Sequence, residues 1–375
     1  MRVVLFSKAA IRAVYHTQYK YLAAHPAITE LLVAVPPYWH EPHVGKLPLE
    51  AVTPQGYRLE IVPLRWNGQY HLYYAPQMAR LLRRFRPDLV HIDEEVYNFA
   101  TFHAALMTRR VGVRSVAFCW QNIYRRYPQP FRWFERALAR WLSGVVAGNA
   151  DALQVLRRKG YDLPAVIIPQ YGVDTTSFRP GSPPALPPFR VGYLGRLVPA
   201  KGIDILLESL RYCPQEIELC IAGEGDEARW KALAERLGVA SRVHWLGAIA
   251  SRQVVDYLRH LHALVLPSRT TPRWKEQFGR VLVEAMACGV PVIGSDSGEI
   301  PRVIGSAGLV FPEGDAMRLA ECICSLSQDP DGWQDLSRRA RERAVQQFSM
   351  AQVAAQYAEF WKSLVHDEKK TRLLT

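Results

Sequence analysis

Short apolar runs alternate with helical patterns along this 375-residue chain, and this alternation constrains its fold more than any other feature. The runs at 2–6, 28–36 and 88–93 are rich in β-branched residues, which is typical of strands buried on both faces. Residues 10–24 and 75–87 carry apolar positions with the period of a helix. A chain that alternates in this way folds into a parallel sheet covered by helices. We therefore predict a doubly wound α/β fold.

Prolines interrupt this alternation at 173–189, which marks a candidate linker. The alternation resumes over residues 190–349, and the whole chain is too long for one hydrophobic core. We expect two Rossmann-like domains, 1–172 and 190–349, that face a cleft, because ligands of such sheets bind beyond the carboxyl ends of the strands. An amphipathic helix follows at 350–366, and we expect it to pack back on the first domain.

Positive charge is concentrated in the first half of the chain. Residues 1–189 carry 23 lysines and arginines against 12 acidic residues, which gives +11 of the net +12 of the whole chain. Such an imbalance favours an anionic partner, such as a membrane surface, an acidic polysaccharide or a nucleic acid. No apolar run reaches the roughly 18 residues of a membrane-spanning helix, and the six cysteines lack metal-ligand spacing. We expect a cytoplasmic protein with free thiols and no bound metal ion.

A strand–loop–helix pattern at 192–210 carries two cations. The predicted strand ends at Gly195, the loop contains Arg196 and Lys201, and a helix follows. Glycine lets the backbone approach a ligand closely, while cations and the start of a helix favour an anion. A second glycine turn follows the next predicted strand, at Gly223. Either turn alone also fits a purely structural role, but together at one sheet edge they favour a phosphate site.

Two carboxylates frame the start of a predicted helix within residues 275–301. Glu276 precedes the helix, and Glu284 lies inside it. Phe278 and Gly279 stand at the helix start, where backbone N–H groups point towards an anion. Each glutamate alone could be an ordinary surface carboxylate, whereas the whole string favours a ligand site.

The string EQFGRVLVEAMACGVPV at 276–292, with GRLVPAKG at 195–202, resembles the retaining glycosyltransferases of family 4, which have the two-domain GT-B fold. The resemblance implies a nucleotide diphosphate-sugar as the donor substrate. No aspartate-x-aspartate motif stands in a convincing loop, so we expect neither a metal ion nor a further cofactor to be required. The resemblance also implies that the acceptor attacks from the face that the diphosphate leaves, with a phosphate oxygen as the base. Glu299 stands where the family more often has a second glycine.

The same resemblance implies roles for individual donor-side residues. Arg196 and Lys201 match the pair that holds the diphosphate and stabilises its departure. Glu276 matches the carboxylate that contacts the hydroxyls of the transferred sugar, and we assign it with Arg196 and Lys201 to catalysis. Glu284 matches the carboxylate that binds the ribose. The other implied donor-side positions are Gly195, Gly223, Gly247, Phe278 and Gly279.

The N-terminal half departs from the family pattern. The usual glycine-rich loop after the first strand is replaced by SKAAIRAV at 7–14, where Lys8 could supply charge. Many members have a histidine where this chain has the region of Trp120, so Gln121 and Asn122 are candidates for sugar contacts. The remaining candidates for the acceptor or sugar side end another predicted strand and are His91, Asp93 and Glu94. For the histidine, a buried side chain bonded to backbone is an equally good interpretation.

Residues 122–141 interleave arginines with aromatic side chains, which suits a lipid interface or a stacked polymer. The leading hypothesis is a retaining hexosyltransferase of envelope or exopolysaccharide synthesis. It would use a glycan or lipid-linked acceptor and associate peripherally with the inner face of the cell membrane. One alternative is a nucleotide-sugar epimerase or phosphorylase of the same fold. Another is a basic nucleic-acid- or membrane-binding scaffold without catalysis, although no nucleic-acid motif is recognised and we expect no nucleic-acid partner.

Overall fold

The computed structural model describes residues 1–42, 44–182 and 184–372. The chain forms two compact units, of which the first combines residues 1–172 with the helix that begins at Met350. The second unit comprises Val173–Ser349. Each unit has its own hydrophobic core, so each is stabilised by the burial of its own apolar side chains.

A parallel sheet forms the centre of the first unit. Its strands and those of a neighbouring hairpin are β1 (Arg2–Phe6), β2 (Glu30–Val35), β3 (Tyr38–Glu41), β4 (Gly45–Pro48), β5 (Arg58–Ile61), β6 (Leu89–Ile92), β7 (Arg114–Cys119), β8 (Gly144–Ala147) and β9 (Ala165–Ile167). Seven of them pair in the order β5-β2-β1-β6-β7-β8-β9, while β3 and β4 form the antiparallel hairpin. Val3 and Val4 of the central β1 are fully buried, because the sheet packs against helices.

The helices of residues 1–172 pack against this sheet. They are α1 (His16–Ala24), α2 (Met78–Phe85), α3 (Phe99–Arg110), α4 (Phe131–Trp141) and α5 (Ala150–Arg158). The prediction of one helix over residues 10–24 is wrong, because short 3-10 turns occupy Ala9–Ile11 and Ala13–Tyr15. The Ala10 carbonyl accepts from the His16 ring, and the Ala13 N–H donates to the Glu50 carboxylate. These groups are therefore engaged outside an α-helical ladder.

The second unit repeats the same architecture with a six-stranded parallel sheet. Its strands are β10 (Phe189–Leu194), β11 (Ile217–Ala222), β12 (Val243–Trp245), β13 (Ala263–Leu266), β14 (Val292–Ser295) and β15 (Leu309–Phe311). Its helices are α6 (Ile203–Ser209), α7 (Glu227–Arg236), α8 (Val254–Arg259), α9 (Arg280–Ala287), α10 (Ile300–Ile304), α11 (Ala316–Gln328) and α12 (Pro330–Arg343). The strands pair in the order β12-β11-β10-β13-β14-β15. Two parallel-sheet units of this kind confirm the predicted α/β class.

The proline-rich segment predicted as a linker at 173–189 is part of the second unit. Val173 is 5% exposed and pairs with Ser349 in an isolated bridge. The Arg341 guanidinium donates to the carbonyl oxygens of Thr175 and Phe178. At Thr175 and Phe178 this segment differs from a flexible linker, because a side-chain donor satisfies these two backbone acceptors.

The helix α13 (Met350–Arg372) returns the chain to the first unit. It packs against α1, and its Tyr357 and Trp361 are buried in the core of that unit. The core of the first unit is therefore built from both ends of the sequence.

Candidate active site

The strand order of the second unit creates a switch point between β10 and β13. From β10 the chain proceeds to β11 and β12 on one side, and then crosses to β13 on the other side. Loops that leave two such strands diverge, and the gap between them is where ligands bind in open parallel sheets. The residues that follow β10 are the glycine loop 195–202, and Ser268 follows β13 closely.

The loop after β10 is held in shape by close backbone contacts. Gly202 has φ +68°, a conformation that favours glycine, and a Cβ there would lie 1.9 Å from the Pro267 carbonyl oxygen. A Cβ on Gly223 would lie 1.8 Å from the Gly195 carbonyl oxygen. The Gly223 N–H donates to the Gly247 carbonyl at 2.8 Å. The glycines that follow β10, β11 and β12 therefore lie together at one edge of the sheet.

Lys201 and Glu276 form an ion pair at this edge. Lys201 Nζ lies 2.5 Å from Glu276 Oε2, and the two side chains are only 14% and 10% exposed. The Ser268 hydroxyl donates to the same carboxylate oxygen at 2.8 Å. The Lys201 ammonium also lies 4.7 Å from the centre of the Trp274 ring. The structure thus brings together two residues that are 75 positions apart in the sequence.

Glu284 is buried inside α9, one turn beyond Arg280. The Arg280 guanidinium donates to its carboxylate at 2.8 Å. Burial raises the pKa of Glu284 above its usual value, and Arg280 opposes that rise. Gly279 precedes α9 with φ +74°, and a Cβ there would lie 2.9 Å from the Leu266 side chain. Phe278 packs against Phe348 with ring centres 5.7 Å apart.

The loop before α10 positions the backbone of Glu276, which the sequence alone did not predict. A Cβ on Gly298 would lie 2.1 Å from the Glu276 carbonyl oxygen, and the Glu299 N–H donates to that oxygen at 3.2 Å. The Glu299 carboxylate bonds to Arg302 at 3.2 Å. Ser268 was also missed, although its place just after a predicted strand was a usable signal. Gly298 offered no such signal, because its role depends on a distant backbone.

Arg196 is the second cation of the glycine loop at this edge of the sheet, and it is exposed. The Tyr193 hydroxyl donates to its carbonyl at 2.8 Å, which holds the backbone of the loop. An exposed guanidinium, a nearby ammonium and glycine-rich turns are suited to a diphosphate. Carboxylates beside them are suited to hydroxyl donors.

A switch point also occurs in the first unit, between β1 and β6. Lys8 follows β1, and its ammonium lies 2.7 Å from Glu94, which follows β6. Asp93 is buried and accepts hydrogen bonds from the Ser7 hydroxyl at 2.6 Å and the Tyr171 hydroxyl at 3.1 Å. Burial raises the pKa of Asp93, and these hydrogen bonds oppose the rise. Lys8, Asp93 and Glu94 therefore lie at one sheet edge, as their positions in the sequence predict.

The structure places His91 in the core of the first unit, as the interpretation of a buried histidine expects. It is 2% exposed, and its ring packs 5.3 Å from both Tyr357 and Trp361. The histidine is buried as that interpretation expects, but the expected hydrogen bond to backbone is missing at Nδ1, which has no partner among the described residues. Burial lowers the pKa of His91 to about 3.

Gln121 and Asn122 are both buried. The Gln121 side-chain oxygen accepts from Lys159 Nζ at 2.9 Å, and its amide donates to the Tyr127 hydroxyl at 3.3 Å. Both ends of the Gln121 amide are thus engaged inside the first unit.

Among the described residues, no three His, Cys, Asp or Glu side chains are grouped so that they could hold a metal ion. In the same part of the chain, no helix combines the length and apolar character needed to span a bilayer.

Two family models match adjoining parts of the chain. "Glycosyltransferase Family 4" matches residues 30–177, and "Glycosyl transferases group 1" matches residues 174–345. The chain belongs to the GT-B glycosyltransferases. This assignment confirms the family resemblance, and the second match contains the whole donor-side string of this glycosyltransferase.

Curated relatives carry glycosyltransferase names. The glycosyltransferase is 28% identical to a phosphatidyl-myo-inositol mannosyltransferase of Mycobacterium leprae, over 83% of this chain and 84% of the relative. It is 32% identical to the N-acetyl-alpha-D-glucosaminyl L-malate synthase of Bacillus anthracis, over 42% of this chain and only 40% of that relative. A separate match, to a D-inositol 3-phosphate glycosyltransferase of Streptomyces bingchenggensis, likewise covers only 53% of that relative.

Solved structures share the fold of this glycosyltransferase. HepE of Anabaena, in complex with UDP, aligns over 97% of this chain and 100% of its own, with a TM-score of 0.71 and 19% identity. The lipopolysaccharide outer core galactosyltransferase WaaB, in its apo form, aligns over 96% of this chain and 100% of its own, with a TM-score of 0.65 and 16% identity. At these identities the likeness establishes the GT-B fold.

Proposed function

We propose that this glycosyltransferase moves a hexose-type sugar, with retention and without a metal ion, from a nucleotide diphosphate-sugar to a hydroxyl of a glycan or lipid-linked acceptor. The observation that carries the proposal is the pairing of Lys201 with Glu276 beside the glycine turns of the second unit. In this pair, a cation suited to the diphosphate lies beside a carboxylate suited to the sugar hydroxyls. Transfer from a nucleotide diphosphate-sugar uses both groups.

In this proposal, the bond between the sugar C1 and the diphosphate oxygen breaks, and its electron pair leaves with the nucleoside diphosphate. Lys201 and Arg196 stabilise the negative charge that develops there. The acceptor oxygen bonds to C1 from the same face, and its proton passes to a phosphate oxygen of the leaving group. No protein nucleophile is needed, and both charges and atoms balance.

The remaining donor-side residues orient the substrate. Glu276 accepts hydrogen bonds from hydroxyls of the transferred sugar, and Glu284 does so from the ribose. The backbone at Phe278 and Gly279 contacts the sugar and phosphates, and Gly247 lies near the base. Solved structures of HepE contain UDP and UDP-glucose, which supports a nucleotide-sugar donor without naming the base for this chain.

The acceptor side is proposed for the first unit, through Lys8, Asp93, Glu94, Gln121 and Asn122. A role in envelope or exopolysaccharide synthesis in the cytoplasm, with peripheral membrane contact, is supported by the names of the phosphatidyl-myo-inositol mannosyltransferase and the lipopolysaccharide outer core galactosyltransferase. The exposed Trp133 on the basic helix α4 also suits a lipid interface.

Thermal-shift measurements with UDP-, GDP-, ADP- and TDP-linked sugars test the donor class. A ligand at 100 times its dissociation constant stabilises the folded state by about 2.7 kcal/mol, so the correct donor raises the melting temperature. The anomeric configuration of the transferred sugar, read by NMR with EDTA present, then tests retention and metal independence. Inversion, or activity lost with EDTA and restored by a metal ion, contradicts the corresponding part of the proposal.

Measurements of nucleotide-sugar binding and turnover also separate the alternative functions. Donor turnover without an acceptor product favours an epimerase or phosphorylase. Absence of any nucleotide-sugar binding, together with salt-sensitive binding to duplex or vesicles, favours a basic scaffold.

A further inference from the structure

A basic pocket in the first unit lies among the loop after β7, the start of α4 and the end of α5. Its volume is about 280 Å³, and its lining contains five arginines, one lysine and one glutamate. One water occupies about 30 Å³ of liquid, so the pocket has room for a phosphate or diphosphate group with some of its water. None of these lining residues belongs to the donor side described above.

The single carboxylate of the pocket is already neutralised. Glu135 forms an ion pair with Lys159, and the two side chains are 7% and 5% exposed. Glu135 is the one acidic side chain among the lining residues, so the lining carries an excess of positive charge. Like charges held close together repel one another, and an anion that enters between them relieves this repulsion.

Aromatic rings fix the cations at the pocket. The Arg158 guanidinium lies 4.4 Å from the centre of the Tyr124 ring, and the Lys159 ammonium lies 4.9 Å from that of Tyr127. Within the described chain, the Nε of Arg132 is buried and has no hydrogen-bond partner. A buried donor without a partner is costly, and a ligand oxygen would satisfy it.

We propose that this basic pocket binds a phosphate or diphosphate group. Guanidinium groups match phosphate oxygens in pairs of parallel hydrogen bonds, which distinguishes such a pocket from a merely cationic surface. We assign this group to the acceptor, and that assignment rests on the proposed function. Binding of phosphate by the pocket does not rest on it. A soluble phosphorylated compound and a lipid headgroup present the same chemistry.

Isothermal titration with inorganic pyrophosphate tests the pocket in the full chain. Arg126→Gln/Arg158→Gln removes two exposed lining cations, and Arg83→Gln/Arg110→Gln removes two exposed arginines elsewhere in the first unit. We expect the pocket variant to weaken pyrophosphate binding at least about 10-fold, because charged hydrogen bonds are lost. The control variant should bind as the wild type does. Equal weakening in both variants, or no binding by the wild type, overturns the proposal.

The donor site also holds phosphates, so Lys201→Ala separates the two sites. The proposal expects a binding component that survives Lys201→Ala and is weakened at least about 10-fold in the pocket variant. This component is independent of nucleotide-sugar binding, so failure of the proposed function leaves it unchanged. If only Lys201→Ala weakens pyrophosphate binding, the pocket proposal is wrong.

Vesicles distinguish the source of the group. Binding to phosphatidic acid vesicles that exceeds binding to phosphatidylserine vesicles and depends on the pocket arginines indicates a lipid phosphate. Pocket-dependent binding of pyrophosphate without vesicle binding indicates a soluble ligand. Vesicle binding that falls equally in the pocket and control variants, with no pocket-dependent pyrophosphate binding, reflects general charge and contradicts the proposal.

Discussion

Replacement of Lys201 by methionine tests both the stability and the chemistry of the donor side. The Lys201 ammonium and the Glu276 carboxylate are 2.5 Å apart, with side chains 14% and 10% exposed. Removal of one partner from a buried ion pair costs about 3–5 kcal/mol, because the other charge stays desolvated. The residual exposure and the hydrogen bond from Ser268 place Lys201→Met at the lower end, about 3 kcal/mol. Loss of the cation should also lower kcat by about 10²–10³-fold.

The double variant Lys201→Met/Glu276→Gln distinguishes an unpaired charge from lost packing. It removes both charges, so we expect its free energy of unfolding to return to within about 1 kcal/mol of the wild type while activity stays low. Lys231→Met is the matched control, because Lys231 pairs with Glu227 at 2.7 Å but the side chains are 51% and 31% exposed. Its cost should be below about 0.5 kcal/mol.

Urea unfolding and the rate of donor cleavage measure these two effects. The reasoning is refuted if Lys201→Met is no less stable than the Lys231→Met control. It is also refuted if the costs of the two single substitutions simply add in the double variant. A Lys201→Met enzyme with wild-type turnover would refute the assigned role of the cation.

Three further predictions concern single positions. Gly202→Ala places a Cβ 1.9 Å from the Pro267 carbonyl at a positive φ, so we expect a loss of about 3 kcal/mol or more in urea unfolding, with Gly238→Ala as the control that lacks the clash. Glu284 has a raised pKa, so its contribution to stability falls as pH rises above the unfolded value; Glu284→Gln should abolish that fall in a pH series of unfolding measurements. Burial lowers the pKa of His91 to about 3, so on acidification this histidine is protonated in the unfolded chain before it is protonated in the folded one, which destabilises the wild type. Between pH 8 and pH 5, the free energy of unfolding of His91→Phe should therefore rise by about 2 kcal/mol relative to that of the wild type. An unchanged pH slope in either variant contradicts the corresponding argument.

The common position of the donor-side candidates at one edge of the sheet could be predicted, because these residues lie in short strings with fixed spacing. Gly195, Lys201 and Glu276 all follow strands that periodicity identifies, and parallel strands end at one edge. The ion pair between Lys201 and Glu276, which are 75 positions apart, agrees with that topology but was not itself predicted. The part played by Gly298 depends instead on the path of a separate loop, which no local pattern specifies.

The first unit was harder to predict because tertiary contacts override its local patterns. Residues 10–24 have helical periodicity, yet the side chains of His16 and Glu50 take backbone partners that a helix would use. His91 ends a predicted strand in the same way as Asp93 and Glu94, but it is covered by α13, which is remote in the sequence. Strand position alone does not distinguish a residue at the sheet edge from one beneath a returning helix.

The return of α13 to the first unit has a consequence for synthesis of the chain. Tyr357 and Trp361 are synthesised after the whole second unit, yet they lie in the core of the first unit together with Val3 and Val4 of β1. The second unit needs only residues from Val173 to Ser349 and can complete its core earlier. Until α13 has been synthesised, the first unit exposes the apolar surface that this helix covers. The first unit can therefore complete its core only after synthesis of the second unit, and chaperones can bind the exposed surface during that period.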